Sequence, residues 1–133
     1  MTTNAFSGVG TLFKRGVQSV AEINSISGPN MSRGTIDVTS LDSTGGYREF
    51  IGGFRDGGEV SLDCNWSLEE WSEWLEDFES DDLGSYSITL ANTEETEIAF
   101  SGICTALGMA VPMDDKVTNT VTLKISGGLT ITS

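Results

Sequence analysis

Apolar and polar residues alternate along several short segments of the chain, with the period of two that is typical of half-buried β-strands. In residues 59–66 the alternation is clearest, with Val60, Leu62, Cys64 and Trp66 on one face and Glu59, Ser61, Asp63 and Asn65 on the other. Further strands are predicted at residues 20–26, 35–41, 85–91, 97–105, 118–126 and 129–132. The pattern therefore predicts a mainly β fold in which one face of the sheet is buried.

One segment changes to the helical period directly after this strand. Ser67 and Glu70 have the spacing of a capping box, in which the Ser67 hydroxyl accepts the amide of Glu70 and the Glu70 carboxylate reaches back. Apolar residues then recur at steps of three and four, namely Leu68, Trp71, Trp74, Leu75 and Phe78. We expect one amphipathic helix that packs on the sheet and ends near Ser80.

Two segments show neither period. Residues 1–18 carry isolated apolar side chains between glycines and predict a flexible N-terminal arm. Residues 42–58 contain three glycine pairs and predict a long inter-strand loop. We expect both segments to bury side chains against neighbouring subunits, and the candidate interface residues are Tyr47, Arg48, Phe50, Ile51, Phe54 and Arg55 in the loop and Phe6, Leu12 and Phe13 in the arm.

Composition narrows the function. The 133 residues fit one domain, and seven Lys and Arg against twenty Asp and Glu give a net charge of −13, which disfavours tight nucleic-acid binding. The absence of histidine removes the commonest general base and zinc ligand. Cys64 and Cys104 are expected to be buried thiols, and no apolar stretch is long enough to span a membrane.

The sequence offers only weak motifs for catalysis or for metal and ligand binding. The carboxylates of residues 69–82 lack the order of a calcium loop, and the glycines of residues 52–58 lack the Gly-Lys-Ser/Thr of a phosphate loop. We therefore assign no catalytic residue, metal ligand or cofactor. Two alternatives stay open: a carbohydrate- or calcium-binding β-sandwich module that uses the tryptophans and Asp pairs, and a hydrolase that uses a pair of carboxylates.

The order of several short motifs resembles the tail tube proteins, or major tail proteins, of long-tailed, non-contractile bacteriophages. These motifs are ISGP at residues 26–29, DVTSLD at 37–42, GGYREFIGGFRDGG at 45–58, FSG at 100–102, MDDK at 113–116 and KISG at 124–127. The resemblance implies that residues 1–133 form a single tail-tube domain, a β-sandwich or half-barrel with one flanking helix, which has no enzymatic activity.

The same resemblance implies an assembly. Six copies would close into a ring, and rings would stack into the hollow tail tube of the virion, with the loop of residues 42–58 bridging them. DNA would pass through without specific binding. Implied partners are a tail tip or baseplate initiator, the tape measure and the tail terminator, with assembly in the host bacterial cytoplasm. A contractile device shares this architecture and remains an alternative.

Alternation and net charge together suggest what lines the bore. Asp37, Glu59 and Asp63 fall on polar strand faces, and six-fold repetition would turn each of them into a ring of carboxylates. Such rings would repel the phosphates of passing DNA. We therefore expect these three residues to face the lumen.

Overall fold

The computed structural model describes residues 5–132. Ten regular elements follow one another along the chain, nine strands and one helix, together with a short 3₁₀ turn at Thr44–Gly46. The elements are β1 (Leu12–Arg15), β2 (Gln18–Ser19), β3 (Ile23–Ser27), β4 (Ser32–Asp37), β5 (Phe50–Asp56), β6 (Glu59–Asn65), α1 (Leu68–Glu79), β7 (Gly84–Thr89), β8 (Glu97–Ala110) and β9 (Thr118–Thr132). The mainly β fold with one helix is confirmed.

Seven of the strands form one antiparallel sheet in the order β2-β1-β7-β8-β9-β6-β3, which curls into a half-barrel. Among the described residues, strands β4 and β5 pair only with each other, as a separate two-stranded hairpin. Two short strands, β2 and β3, form the edges of the half-barrel, and its two longest strands, β8 and β9, lie side by side within it.

Alternation in β6 and β9 builds half of the core. Val60, Leu62 and Cys64 are buried, and their neighbours across the ladder include Val121 and Leu123, which are also buried. An aromatic cluster builds the other half, from Phe13, Trp74, Tyr86 and Phe100, with ring centroids 5.9 to 6.4 Å apart. Because aromatic side chains bury large apolar areas, this cluster dominates the packing under the helix.

Helix α1 begins and ends where the sequence predicts. Ser67 caps it, since the amide of Glu70 donates to the Ser67 hydroxyl at 3.2 Å. The Glu70 carboxylate does not complete the reciprocal bond but accepts from the amide of Ala21 at 3.5 Å. Burial of that carboxylate raises the pKa of Glu70.

The buried face of α1 differs from the predicted apolar stripe. Of the five stripe residues only Trp74 is buried, whereas Leu68, Leu75 and Phe78 are exposed. A polar anchor accounts for the difference, because Asp77 faces the sheet and binds Arg15 and Tyr86. At about 100° per residue, turning Asp77 and Trp74 inward leaves Leu68 and Leu75 on the outward side of the helix.

The prediction of a flexible arm at residues 1–18 is wrong for its second half. Leu12–Arg15 forms β1, which pairs with β7 from Leu12 opposite Thr89 to Arg15 opposite Tyr86. Phe13 is fully buried in the aromatic cluster, so it belongs to the core of the subunit rather than to an interface. Its burial supplies the apolar contacts that hold β1 on the sheet.

The predicted loop at residues 42–58 is half strand. Phe50–Asp56 forms β5 and pairs with β4, which covers Ser32–Asp37 rather than the predicted residues 35–41. We call residues 32–56 the hairpin arm. Strands β8 and β9 are likewise longer than predicted, because a bulge in their ladder and a left-handed Gly127 (φ 86°) let β9 run on through residues 129–132.

The hairpin arm and the helix connect different pairs of strands. Strand β3 ends and β6 begins at one end of the sheet, where Ser27 is opposite Ser61, and the hairpin arm connects them there. Helix α1 leaves β6 at the other end and returns along the sheet, because β7 begins level with the start of β6 in the register.

Candidate assembly surfaces

The hairpin arm exposes large apolar side chains on a part of the chain that has no core of its own. Phe54 is 97% exposed and Tyr47 is 78% exposed, and Phe50 and Ile51 are about half exposed. The arm includes every loop residue that the sequence singled out, and Arg48 and Arg55 project from it as well. Exposed apolar groups of this size, gathered on one element, are typical of surfaces that bind a partner.

Polar bonds fix the tip of the hairpin arm. Asp37 accepts a hydrogen bond from the amide of Thr39 at 2.8 Å and one from Arg48 at 3.1 Å. The hydrogen bonds from Thr39, followed by the one from Arg48, lower the pKa of Asp37. Glu49 accepts from the hydroxyl of Ser43 at 2.9 Å. The tip therefore has a defined conformation before any partner binds.

Asp37 lies apart from the other two predicted lumen residues. It is on the hairpin arm, whereas Glu59 and Asp63 are on β6 in the main sheet. Within residues 5–132 β4 pairs only with β5, and the Asp37 carboxylate bonds to Thr39 and Arg48, so the three carboxylates lie on two separate sheets.

The polar face of the main sheet carries charges of both signs. Glu59 lies opposite Lys124 in the register, and Asp63 lies opposite Thr120. Lys124 binds Asp56 at 2.8 Å, and this hydrogen bond, the largest cause, together with one from the amide of Gly58 lowers the pKa of Asp56. The face is therefore rich in hydroxyls and acidic groups, but it also includes lysine.

The remaining arm residues stay on the surface. Phe6 and Leu12 are nearly half exposed, in contrast to Phe13. The segment before β1 lies along one side of an open groove of about 770 Å³, and β3 forms the other side. Three apolar side chains, Ile88, Leu90 and Ile98, are among the residues that line this groove between the two edges of the curled sheet.

Two surfaces were not found from the sequence. One is the flank of α1, where Leu75 and Phe78 are exposed among acidic residues. The other is Arg33, which lies opposite Arg55 in the β4–β5 ladder. A signal for the second was present, since three of the chain's seven basic residues, Arg33, Arg48 and Arg55, fall within the hairpin arm.

The alternatives that need a ligand site gain no support. Trp74 is buried, and Trp66 and Trp71 are half-buried against each other with ring centroids 6.5 Å apart, so they form no open stacking platform. Within residues 5–132 no three His, Cys, Asp or Glu side chains cluster as metal ligands. No helix in the same range has the length and hydropathy needed to cross a membrane.

The cysteines are inert core residues. Both are free and buried, as the sequence predicts. Burial, followed by the nearby charges of Asp63 and Glu70, raises the pKa of Cys64 to about 11. Burial also raises the pKa of Cys104. Because the thiolate is the reactive form, neither side chain has the character of a nucleophile.

A small β subunit whose most prominent features are a projecting apolar arm and exposed sheet edges has the character of a structural component of an assembly. The family model described as Lambda phage tail tube protein matches residues 3–132. The chain therefore belongs to the lambda phage tail tube protein family, which confirms the resemblance seen in the sequence. It is a structural component of a virion tail and not an enzyme.

Solved structures share the fold at low sequence identity. A chain of the native gene transfer agent virion has a TM-score of 0.79 and 20% identity, over 97% of this chain and 100% of that chain. A chain of the empty gene transfer agent tail has a TM-score of 0.75 and 20% identity, with the same coverage. A chain of an extracellular contractile injection system, from its sheath/tube terminator in the extended state, has a TM-score of 0.79 and 15% identity over all of both chains. Comparison with curated protein sequences gives no match.

Proposed function

We propose that six copies of this chain close into a ring and that rings stack through the hairpin arm into the hollow tube of a phage tail. The observation that carries the proposal is the exposed apolar arm, with Phe54 97% exposed, on a chain of the tail tube family. The empty gene transfer agent tail, whose chain shares this fold, has C6 symmetry. A closed ring also removes sheet edges, which otherwise invite uncontrolled pairing.

The ring uses the two edges of the half-barrel. In the part of the chain that the structure describes, β3 pairs only with β6 and β2 pairs only with β1, so each edge retains unpaired backbone groups there. Pairing of one copy's β3 edge with the β1–β2 side of its neighbour continues the sheet around the ring. Phe6 and Leu12, exposed beside that groove, are then covered by the neighbour.

DNA passes through the bore without specific binding. Glu59 and Asp63 on the polar face of β6, and Asp37 on the hairpin arm, face the lumen in this proposal and repel phosphate. Replacement of Glu59 and Asp63 by lysine is expected to slow DNA ejection from tubes that assemble normally. Unchanged ejection kinetics in verified tubes would contradict the lumen assignment.

The proposed partners follow from the tail tube role. A tail tip or baseplate initiator starts the tube, a tape measure occupies its bore during assembly, and a terminator ends it. Assembly takes place in the host bacterial cytoplasm, in a long, non-contractile tail. The similarity to a contractile injection system chain makes a sheathed tail the alternative, and it is tested by whether a sheath protein binds the outside of the tube.

The first experiment is electron microscopy with light scattering on the purified protein, over a range of concentration and salt. We expect rings or tubes of constant diameter, and Phe50→Ala and Phe54→Ala variants that stay folded and soluble but do not stack. Tubes formed by the double variant would refute the role of the arm. A protein that stays monomeric both alone and with tail tip complexes from the same tail would refute the tube.

A further inference from the structure

Two arginines without a negative partner lie opposite each other at the base of the hairpin arm. Arg33 and Arg55 are register partners in the β4–β5 ladder, and both are exposed. Like charges directly opposite each other destabilise a strand pair. Among residues 5–132 neither arginine has a carboxylate within ion-pair distance. The pair therefore favours a partner that brings negative charge to it.

A glycine makes room for this pair and shows which apolar side chain shares its face. The guanidinium of Arg33 donates to the carbonyl of Gly53 at 3.2 Å and lies where a Cβ atom on Gly52 would be. Residues two apart in a strand share a face, so Phe50 lies on the same face as Gly52 and is about half exposed there. We call Arg33, Arg55 and Phe50 the arginine face of the hairpin arm.

A second patch with unpaired charge lies in the turn between β8 and β9. Asp114 and Asp115 are adjacent and exposed there, and within the described part of the chain neither has an ion-pair partner. Met113, directly before them, is 95% exposed. Lys116 follows them; its ammonium donates to the side chain of Asn24 at 3.3 Å and its amide donates to Asp115 at 2.7 Å. The turn therefore presents two carboxylates beside an exposed apolar side chain, which complements the arginine face.

The turn and the arginine face belong to opposite ends of strands β6 and β9. Strand β9 begins at Thr118, directly after the turn, where it is level with the end of β6. Further along β9 the amide of Ile125 donates to the carbonyl of Gly58, at the base of the hairpin arm, at 3.0 Å. Thr118 and Ile125 are about 23 Å apart, at roughly 3.3 Å per residue. Gly57 lies beside Gly127, further still from the turn, so the chain enters β6 from the side away from the turn.

Further carboxylates lie at the turn end of these strands. Glu22 is at this end because its carbonyl accepts the amide of Asn65, the last residue of β6, at 2.9 Å. Glu69 follows in the first turn of α1, which begins there. Their charges add to those of Asp114 and Asp115, so the electrostatic field at this end attracts a cationic surface.

The two patches do not meet within one copy. Across residues 5–132 no hydrogen bond or ion pair joins residues 32–56 to residues 110–117. A contact between two different patches on successive copies is heterologous, and patches at opposite ends of a copy let such a contact repeat in one direction. Stacked rings need a contact of this kind.

We propose that the arginine face of one copy docks on the β8–β9 turn of a copy in the next ring, where the two arginines bind Asp114 and Asp115. Phe50 then packs against Met113. Guanidinium and carboxylate groups form paired, charge-assisted hydrogen bonds, so the contact also fixes the orientation of one ring on the next. The inference rests on the proposed function and identifies the surface that receives the hairpin arm.

Charge reversal of each pair tests the docking. We expect the chain with Asp114→Lys and Asp115→Lys to need about tenfold or more protein for tube formation, since like charges would then meet at the interface. Its net charge is less negative than −13, so weaker self-repulsion alone would have the opposite effect. Arg33→Glu with Arg55→Glu is expected to impair assembly as strongly. The chain with all four changes restores opposite charges and should assemble within about threefold of wild type.

The control reverses another adjacent acidic pair. Asp81→Lys with Asp82→Lys changes the net charge by the same amount, in the exposed turn after α1, and should assemble at least as well as wild type. Normal assembly of either reversed chain, or a quadruple variant that is no better than the two double variants, overturns the docking. So does a control that is impaired as strongly as the chain with the reversed turn. Urea unfolding confirms that each chain is folded.

A crosslink gives a second readout that does not depend on tubes. In an Arg55→Lys variant a carbodiimide joins the new amine to a carboxylate in direct contact, and mass spectrometry of mixed heavy and light copies identifies links between copies. We expect a link from position 55 to Asp114 or Asp115. Lys124 and Asp56, 2.8 Å apart within one copy, are the internal control for the reaction.

The outcomes of the crosslink separate the docking from the tube. If tubes form and the control link appears without the link to the turn, the docking is wrong and the tube function stands. A link from position 55 to Glu76 or Glu79 also overturns the docking, because it places the arm on the helix. If the link to the turn forms in a protein that makes no tubes, the docking stands and the tube function fails. If tubes and link are both absent, both fail.

Discussion

Asp77 of α1 accepts two hydrogen bonds from the guanidinium of Arg15 in β1, each 2.6 Å long, across 62 residues of sequence. The same carboxylate accepts from the hydroxyl of Tyr86 at 2.8 Å, and Arg15 also donates to the carbonyl of Glu73 at 2.9 Å. The hydrogen bond to Asp77, followed by the negative charges of Asp77 and Glu73, raises the pKa of Arg15. The pair ties the N-terminal strand to the helix and fixes which face of the helix is buried.

Removal of Arg15 is therefore expected to be costly. The two side chains are only about 20% and 19% exposed, so Arg15→Ala leaves a largely buried carboxylate with one remaining partner, and we expect a loss of about 2–4 kcal/mol of unfolding free energy. Arg48→Ala is the matched control, because its pair with Asp37 is 76% and 43% exposed and is expected to contribute less than about 1 kcal/mol. Urea unfolding of both variants measures the difference, and equal losses would contradict the proposed anchor.

Two phenylalanines should respond to truncation in opposite ways. Phe13 is fully buried among Trp74, Tyr86 and Phe100, so Phe13→Ala is expected to cost about 3–5 kcal/mol of stability. Phe54 is almost fully exposed, so Phe54→Ala should change the unfolding free energy by less than about 0.5 kcal/mol while it reduces assembly. Thermal unfolding in low salt, where the net charge of −13 is expected to keep subunits apart, separates the two effects. A large stability loss in Phe54→Ala would show that the arm packs on its own subunit.

These residues also show why the sequence predicts some parts of the fold and not others. In β6 one face is buried and the other faces solvent, so the period-two alternation is complete. The predicted bounds of this strand therefore agree with the observed bounds to within one residue. The hairpin arm is exposed on both faces, and without a buried face no alternation is selected, so the sequence predicts a loop where β5 forms. Phe13 gives no period because β1 has only four residues.

The sequence predicts which residues the candidate interface contains but not how the strands arrange them. Glycine pairs and aromatics mark residues 42–58 as unusual, yet the register that places Arg33 opposite Arg55 depends on a bulge between Arg33 and Thr35. The sequence does not predict the exposed flank of α1, for a different reason. Its apolar stripe predicts burial, but the bond between Asp77 and Arg15 turns part of the stripe outward, and such a long-range contact leaves no periodic signal.

The joint at the base of the hairpin arm offers a test of its rigidity. Gly58 has a φ of +83°, and a Cβ atom on it would clash with the carbonyl oxygen of Asn30. Gly58→Ala is thus expected to destabilise the subunit by about 2 kcal/mol or more and to displace the arm, since a left-handed conformation alone costs 1–2 kcal/mol for an L residue. Gly34→Ala in β4, where the added methyl has open space, is the control. Unfolding curves and a tube assay check both variants, and a Gly58→Ala protein that resembles wild type would contradict a rigid joint.

The buried thiol of Cys64 determines whether the unfolding free energy rises or falls at alkaline pH. Its ordinary pKa of 9.0 rises to about 11 in the folded chain, chiefly through burial. Below pH 9 the thiol is protonated in both states, so its contribution to stability is fully present. Between pH 9 and 11 the unfolded chain loses this proton and the folded chain keeps it, so the unfolding free energy falls as pH rises.

Urea unfolding at pH 8, 9 and 10.5 measures the slope of the unfolding free energy against pH. In Cys64→Val the side chain at position 64 cannot ionise, so the unfolding free energy should fall less over this range. Burial also raises the pKa values of Cys104 and Tyr86, and these two residues contribute equally to the fall in the variant and in the wild-type protein. An identical slope in the variant would mean that Cys64 ionises in the folded state as readily as in the unfolded chain.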